Sequence, residues 1–133
     1  MSKKQEYLQL CEQYIKQIEQ DSDYTMITNG VYLKVLQPAT SDMHPSLQSV
    51  VTVHYQGRLV TGRVFDDSYQ HSCPEAFRLT EVIVGWQVAL QQMGVGEKCE
   101  VVIAPEQGYG KRSNGPIPGG SVLIFEIELL NIC

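Results

Sequence analysis

Cysteine, histidine and aromatic residues other than tyrosine are scarce in this sequence of 133 residues, which holds four Cys, three His, three Phe and one Trp. Cys11, Cys73, Cys99 and Cys133 lie far apart, with no C-x-x-C pair and no set of nearby histidines to complete a zinc site. No metal centre and no cofactor is expected. Free thiols in a reducing, cytoplasmic setting suit this spacing; the even count also permits disulfides, which a chain of this size does not need. No run approaches the roughly 18 unbroken apolar residues that crossing a bilayer requires. The start, MSKKQEYLQLCEQYIKQIEQ, carries basic residues, but Gln and Glu interrupt the apolar core that an export signal would need. Positive charge is also in deficit, 10 basic against 15 acidic residues, a net −5 that repels phosphate backbones. Neither nucleic acid nor a membrane is expected as a partner.

The familiar catalytic signatures are missing as well. GRLVTGR, residues 57–63, has the glycine spacing of a phosphate loop but not the Lys-Ser/Thr pair that reaches phosphate and magnesium. No nucleophile elbow is present, and His44, His54 and His71 have no local partner for a catalytic pair. There is no internal repeat and no low-complexity segment.

What the chain does have is clear periodicity. From Lys4 to Gln20, Tyr7, Leu10, Cys11, Tyr14, Ile15 and Ile18 recur at steps of three and four, the stripe of an amphipathic helix that packs on its own domain or helps form a dimer. A helix this short offers little interface area, so a monomer or weak dimer is expected. Thr28 to Leu36 alternates after an Asn-Gly turn signal and predicts the first strand. A Pro/Ser/Thr-rich loop, residues 37–49, leads into VVTVHYQGRLV, whose inward positions include Val51, Val53 and Tyr55; Thr61-Gly62 then turns the chain back through RVFDDS as a hairpin. After an irregular stretch and a short strand, AFRL, the run EVIVGWQVALQQMG places Trp86, Ala89, Leu90 and Met93 on one helical face, with Gly94 as its stop. CEVVIAP reads as a strand, QGYGKRSNGPIPGG as a long loop, and SVLIFEIELL as a final strand with Leu123, Phe125, Ile127 and Leu129 facing one way. The pattern predicts an α+β fold: a curved antiparallel sheet around one short α-helix, residues 25–133, behind an N-terminal amphipathic helix, residues 1–24. The aromatics sit near strand ends, helix start and loop, a placement that suits a concave apolar site as well as a core.

Three stretches carry a family resemblance. VTVHYQGRLVTGRVFDDS resembles the strand pair of the macrolide-binding immunophilins (the FKBP family). EVIVGWQVALQQMGVGEK resembles that family's helix signature, and APEQGYG with GPIPGGSVLIFEIELL its flap loop and last strand. The match runs from about Val50 to Leu130 in order, and the N-terminal addition is similar to that of bacterial members. The resemblance implies a peptidyl-prolyl cis/trans isomerase that assists folding, or else a module that holds proline-containing peptides or partner proteins without turning them over. It implies Trp86 as pocket floor, Tyr55, Phe65, Phe77, Val82, Ile83 and Phe125 as walls, and Tyr109 and Ile117 closing from the flap. Asp66 would be the one polar wall residue, and the Ile83 N–H would bond a carbonyl of substrate or macrolide. Proline-containing polypeptides, with macrolides as further ligands, are the implied partners. Many relatives carry a basic residue soon after the Asp; here DSYQHSCPEAF follows, leaving Tyr69, His71 or neither to support Asp66.

Overall fold

The computed structural model describes all residues, Met1 to Cys133. Helix α1, Lys3–Gln20, opens on a capping box in which Ser2 Oγ accepts from the Gln5 N–H at 3.1 Å and Gln5 Oε1 accepts from the Ser2 N–H at 3.1 Å. The sheet follows as β1 (Thr25–Thr28), β2 (Val31–Gln37), β3 (Val50–Leu59), β4 (Val64–Asp67), β5 (Glu75–Arg78), β6 (Lys98–Ile103) and β7 (Leu123–Ile132). All pairings are antiparallel, in the order β1-β2-β6-β7-β3-β4, with β5 on the same edge of β3 as β4 but at its other end. The Asn-Gly signal does not precede the first strand as expected. It turns a hairpin between β1 and β2, with Gly30 at φ +87°, because a strand on each side can pair only across it.

Helix α2, Val84–Gln92, is the short helix the sheet curves around. Strict alternation in β3 turns Val51, Val53, Tyr55, Gly57 and Leu59 inward. Cys99, Val101 and Ile103 of β6 and Leu123, Phe125, Ile127 and Leu129 of β7 join them around Trp86, Ala89 and Leu90 of α2 and Met93 just past its end. Each large side chain buried there contributes about 1.5–3 kcal/mol. Gly94 does not stop the helix: Met93 leaves helical geometry first (φ −92°, ψ 142°), and Gly94 instead lets the Ser41 carbonyl and the Ala39 methyl approach closely.

The opposite face of the sheet takes α1. Cys11 and Ile18 bury against Tyr32, Val102, Val122 and Ile124, flanked by Tyr7, Tyr14 and Ile15, and the Tyr32 hydroxyl donates to Glu19 Oε2 at 2.8 Å. Leu10, assigned to the stripe by its spacing, lies half exposed because the buried arc runs through Tyr7, Cys11, Tyr14 and Ile18 instead. No helix is long and apolar enough to cross a membrane.

Candidate functional site

A cleft of about 290 Å³, near the lower end of ligand-site volumes, opens between the β3–β4 hairpin, the start of α2 and the loop after β6. It is lined by Tyr55, Phe65, Asp66, Phe77, Glu81, Val82, Ile83, Trp86, Tyr109 and Phe125. Each element contributes for a local reason. Tyr55 and Phe125 sit on inward positions of neighbouring strands, Phe65 and Asp66 on the returning hairpin, and Trp86 on the first turn of α2. The backbone at Tyr55 is pinned by Ser68, whose fully buried hydroxyl accepts from the Tyr55 N–H at 2.7 Å.

The rings pack edge to face. Trp86 stands 5.1 Å from Tyr55, 5.4 Å from Phe77 and 5.3 Å from Phe125, all at 83–87°, and Phe65 meets Phe125 at 5.6 Å and 89°. That geometry sets ring edges against π faces and adds about 0.5–1.5 kcal/mol per pair beyond burial. Gly57 makes it possible: a Cβ there would lie 2.6 Å from Phe65 Cζ and 2.8 Å from Phe125 Cε1. The indole N–H of Trp86 is buried with no hydrogen-bond acceptor.

Polar groups are few. The Tyr55 hydroxyl donates a hydrogen bond to Asp66 Oδ2. Burial first, and then that bond and the charge of Asp66, push the Tyr55 phenol well above its ordinary pKa. Burial, then the charge of Asp66, also raises Tyr109. Both phenols therefore stay neutral donors at any physiological pH. Tyr69 does not support Asp66; it stacks on His54 (4.6 Å, 14°) and donates to Glu128, and His71 makes no bond to Asp66 either. The Ile83 N–H has no partner within the chain, while its carbonyl accepts from Trp86 and Gln87 as α2 begins. No Ser, Cys, Lys or His lines the cleft, so it holds no nucleophile–base pair for acyl transfer, and no three His, Cys, Asp or Glu side chains converge anywhere.

Nine of the ten residues expected from the sequence thus meet around one cleft. The tenth, Ile117, is not among the lining residues; it is buried in the same apolar cluster as Tyr55, Trp86 and Phe125, and its N–H and carbonyl pair with Asn114 in a tight turn. Sequence reasoning missed Glu81, although it opens the same EVI run, and Gly57, the one inward position of β3 without a side chain. A larger concavity of about 630 Å³ lies between α1 and the loop after β6, but charged side chains rim it and no aromatic ring lines it. The aromatic cleft is the better candidate despite its smaller volume.

Comparison with known proteins agrees with this geometry. Residues 41–130 match the family model described as FKBP-type peptidyl-prolyl cis-trans isomerase. The chain is 41% identical over 107 residues to the peptidyl-prolyl cis-trans isomerase Mip of Coxiella burnetii, covering 80% of this chain and 46% of that protein. It is 42% identical over 106 residues to FK506-binding protein 1A of Aspergillus fumigatus, covering 77% of this chain and 95% of the other. A solved peptidyl-prolyl cis-trans isomerase from Pseudomonas syringae pv. tomato superposes with a TM-score of 0.88 at 32% identity, over 99% of this chain and 97% of that one. The chain spans about half the length of the bacterial curated relatives it matches. With the fold, the aromatic cleft and the family model in agreement, this chain belongs to the FKBP-type peptidyl-prolyl cis-trans isomerases.

Proposed function

We propose that the chain accelerates rotation about X-Pro bonds of polypeptides and so assists their folding, with the aromatic cleft as its active site. The observation that carries this reading is a cleft walled by rings, with two carboxylates, Asp66 and Glu81, and no nucleophile. A prolyl amide must cross a barrier of about 18–20 kcal/mol, and planar resonance separates charge that water stabilises. An apolar wall withdraws that solvation from the planar ground state and favours the twisted, less polar amide. Proline rests on Trp86, enclosed by Tyr55, Phe65, Phe77, Val82, Ile83 and Phe125, while Tyr109 covers it. The unpartnered Ile83 N–H takes a substrate carbonyl. Asp66, held by Tyr55, is the polar group nearest the turning bond. Macrolides that mimic a prolyl peptide would compete for the same rings, as the name of the Aspergillus relative suggests for that protein.

The test is a prolyl-isomerisation assay on a Leu-Pro peptide, read by exchange so that no protease is needed. Acceleration over the uncatalysed rate that a competing proline peptide suppresses is the expected result. Saturable binding without acceleration would leave only a peptide-holding module.

A further inference from the structure

The loop from Ala104 to Val122 serves two faces of the molecule. Toward the cleft it offers Tyr109. Toward α1 it offers Gly120 and Ser121, and there the helix grips it. The Tyr7 hydroxyl lies 2.8 Å from Ser121 Oγ, and Ser121 Oγ donates to the Pro118 carbonyl at 2.6 Å. A serine hydroxyl has one proton, so with that proton on Pro118 the tyrosine must be the donor, and the three groups form a one-way relay from helix to loop. Beside it, the Leu8 side chain fills the space that a Cβ on Gly120 would need. The Gly120 N–H donates to the Gly110 carbonyl at 2.8 Å, the Gly110 N–H donates to Pro105 at 2.8 Å, and Gly110 directly follows Tyr109. One turn of α1 is thus tied by two short routes to both flanks of the flap: to Ile117-Pro118 through Ser121, and to Tyr109-Gly110 through Gly120.

We infer that Tyr7 and Ser121 are positioning residues through which the N-terminal helix seats the flap over the cleft, so that α1 sets substrate affinity from the opposite face of the sheet. This rests on the isomerase reading given above. Neither residue lines the cleft; Ser121 reaches Tyr109 through its chain neighbour Gly120, whose N–H donates to the Gly110 carbonyl. Burial raises the Tyr7 pKa, which keeps the phenol a donor. Loops lie at the low end of local stability, so the seated fraction responds to a single bond. A substrate that binds only the seated flap is held more weakly in proportion to the fraction lost. Once it is bound the flap is seated by definition, and turnover is unchanged.

The experiment compares the full chain with Tyr7→Phe, Ser121→Ala and the control Tyr32→Phe, which removes a hydroxyl bond of α1 that runs to β2 through Glu19 and not to the flap loop. Hydrogen exchange at the Gly110 and Gly120 amides, kinetics at varied Leu-Pro peptide concentration, and fluorescence titration of Trp86, the single tryptophan, are measured on each. Tyr7→Phe and Ser121→Ala are expected to speed exchange at both glycines and raise KM roughly 2- to 10-fold, the factor a net hydrogen bond is worth, with kcat held. Tyr32→Phe should move neither. An unchanged KM in Tyr7→Phe overturns the proposal even if exchange quickens, because the helix is then a structural brace alone. The same rise in KM from Tyr32→Phe overturns it too. If the wild type binds the peptide but does not accelerate rotation, the isomerase reading falls by itself. The peptide Kd from Trp86 fluorescence then decides the seating role, a weaker Kd in Tyr7→Phe supporting it and an equal one refuting it.

Discussion

Placing a methyl group on Gly57 tests the cleft more sharply than removing any of its rings. Gly57 sits near the C-terminal end of β3, opposite Asp66 of β4 and Phe125 of β7. An added Cβ would lie 2.6 and 2.7 Å from two atoms of the Phe65 ring and 2.8 Å from Phe125. Carbon atoms rest about 3.5–4.0 Å apart, so the overlap is about 1 Å on two rings at once. Overpacking of this kind costs about 1–3 kcal/mol. Its φ is not positive, so alanine meets no backbone strain, and it regains about 0.5–1 kcal/mol of chain entropy over glycine in a strand. The net expectation for Gly57→Ala is a loss of about 1–2 kcal/mol. With the β3 backbone behind them, the rings yield toward the cleft, and kcat/KM on a Leu-Pro peptide should fall at least about tenfold, or about 1.4 kcal/mol in the barrier. Urea unfolding followed by Trp86 fluorescence measures the first quantity and the exchange assay the second. Adding Phe65→Leu removes the atoms nearest the new methyl and should recover stability. A Gly57→Ala protein as stable and as active as wild type would refute the placement of both rings.

Phe125→Ala, which deletes a buried ring in contact with Trp86, Phe65 and Tyr55, should cost about 3–5 kcal/mol in urea unfolding and most of the activity. Asp66→Ala should lower turnover while costing only about 1 kcal/mol, because water in the cleft can accept the Tyr55 proton; wild-type rates in both variants would move the active site elsewhere. Stability should fall above pH 10. Tyr32 is pushed up to about 12, chiefly by burial, so between those values the unfolded phenol loses a proton that the folded one keeps, removing about 1.4 kcal/mol per pH unit. Tyr55 adds to the slope in the same direction. Urea midpoints at stepped pH should show a shallower decline for Tyr32→Phe, and equal slopes would refute the assignment. Because the buried stripe of α1 is satisfied on its own sheet, sedimentation should not change with loading concentration, and a tight dimer would contradict this.

Much of this molecule is legible in residue order. Period-two alternation in VVTVHYQG and LIFEIELL assigns inner and outer faces without further information, since a strand has only two. The three-and-four spacing of Trp86, Ala89, Leu90 and Met93 likewise names the face of α2 that the sheet covers, and the family resemblance through EVIVGW and the loop Y-G named nine of the ten cleft residues. Local pattern failed where the answer lay across the fold. Leu10 fits the stripe by spacing, but only the line of contact with β2, β6 and β7 says which arc of α1 is buried. Gly94 reads as a helix stop, yet its smallness is required by a loop some fifty residues earlier in the chain. The partner of Asp66 is not among the residues that follow it but is Tyr55, eleven positions back and one strand across. Ile117 shares a loop with Tyr109 but turns into the core. The sequence by itself determined which residues are apolar, in what period, and therefore which elements form and which faces they hide. The tertiary structure alone decided which aromatic edges meet which faces, why position 57 must be empty, and that a helix on one side of the sheet touches the flap on the other. Those outcomes depend on distances between segments remote in the chain, and no local periodicity encodes them.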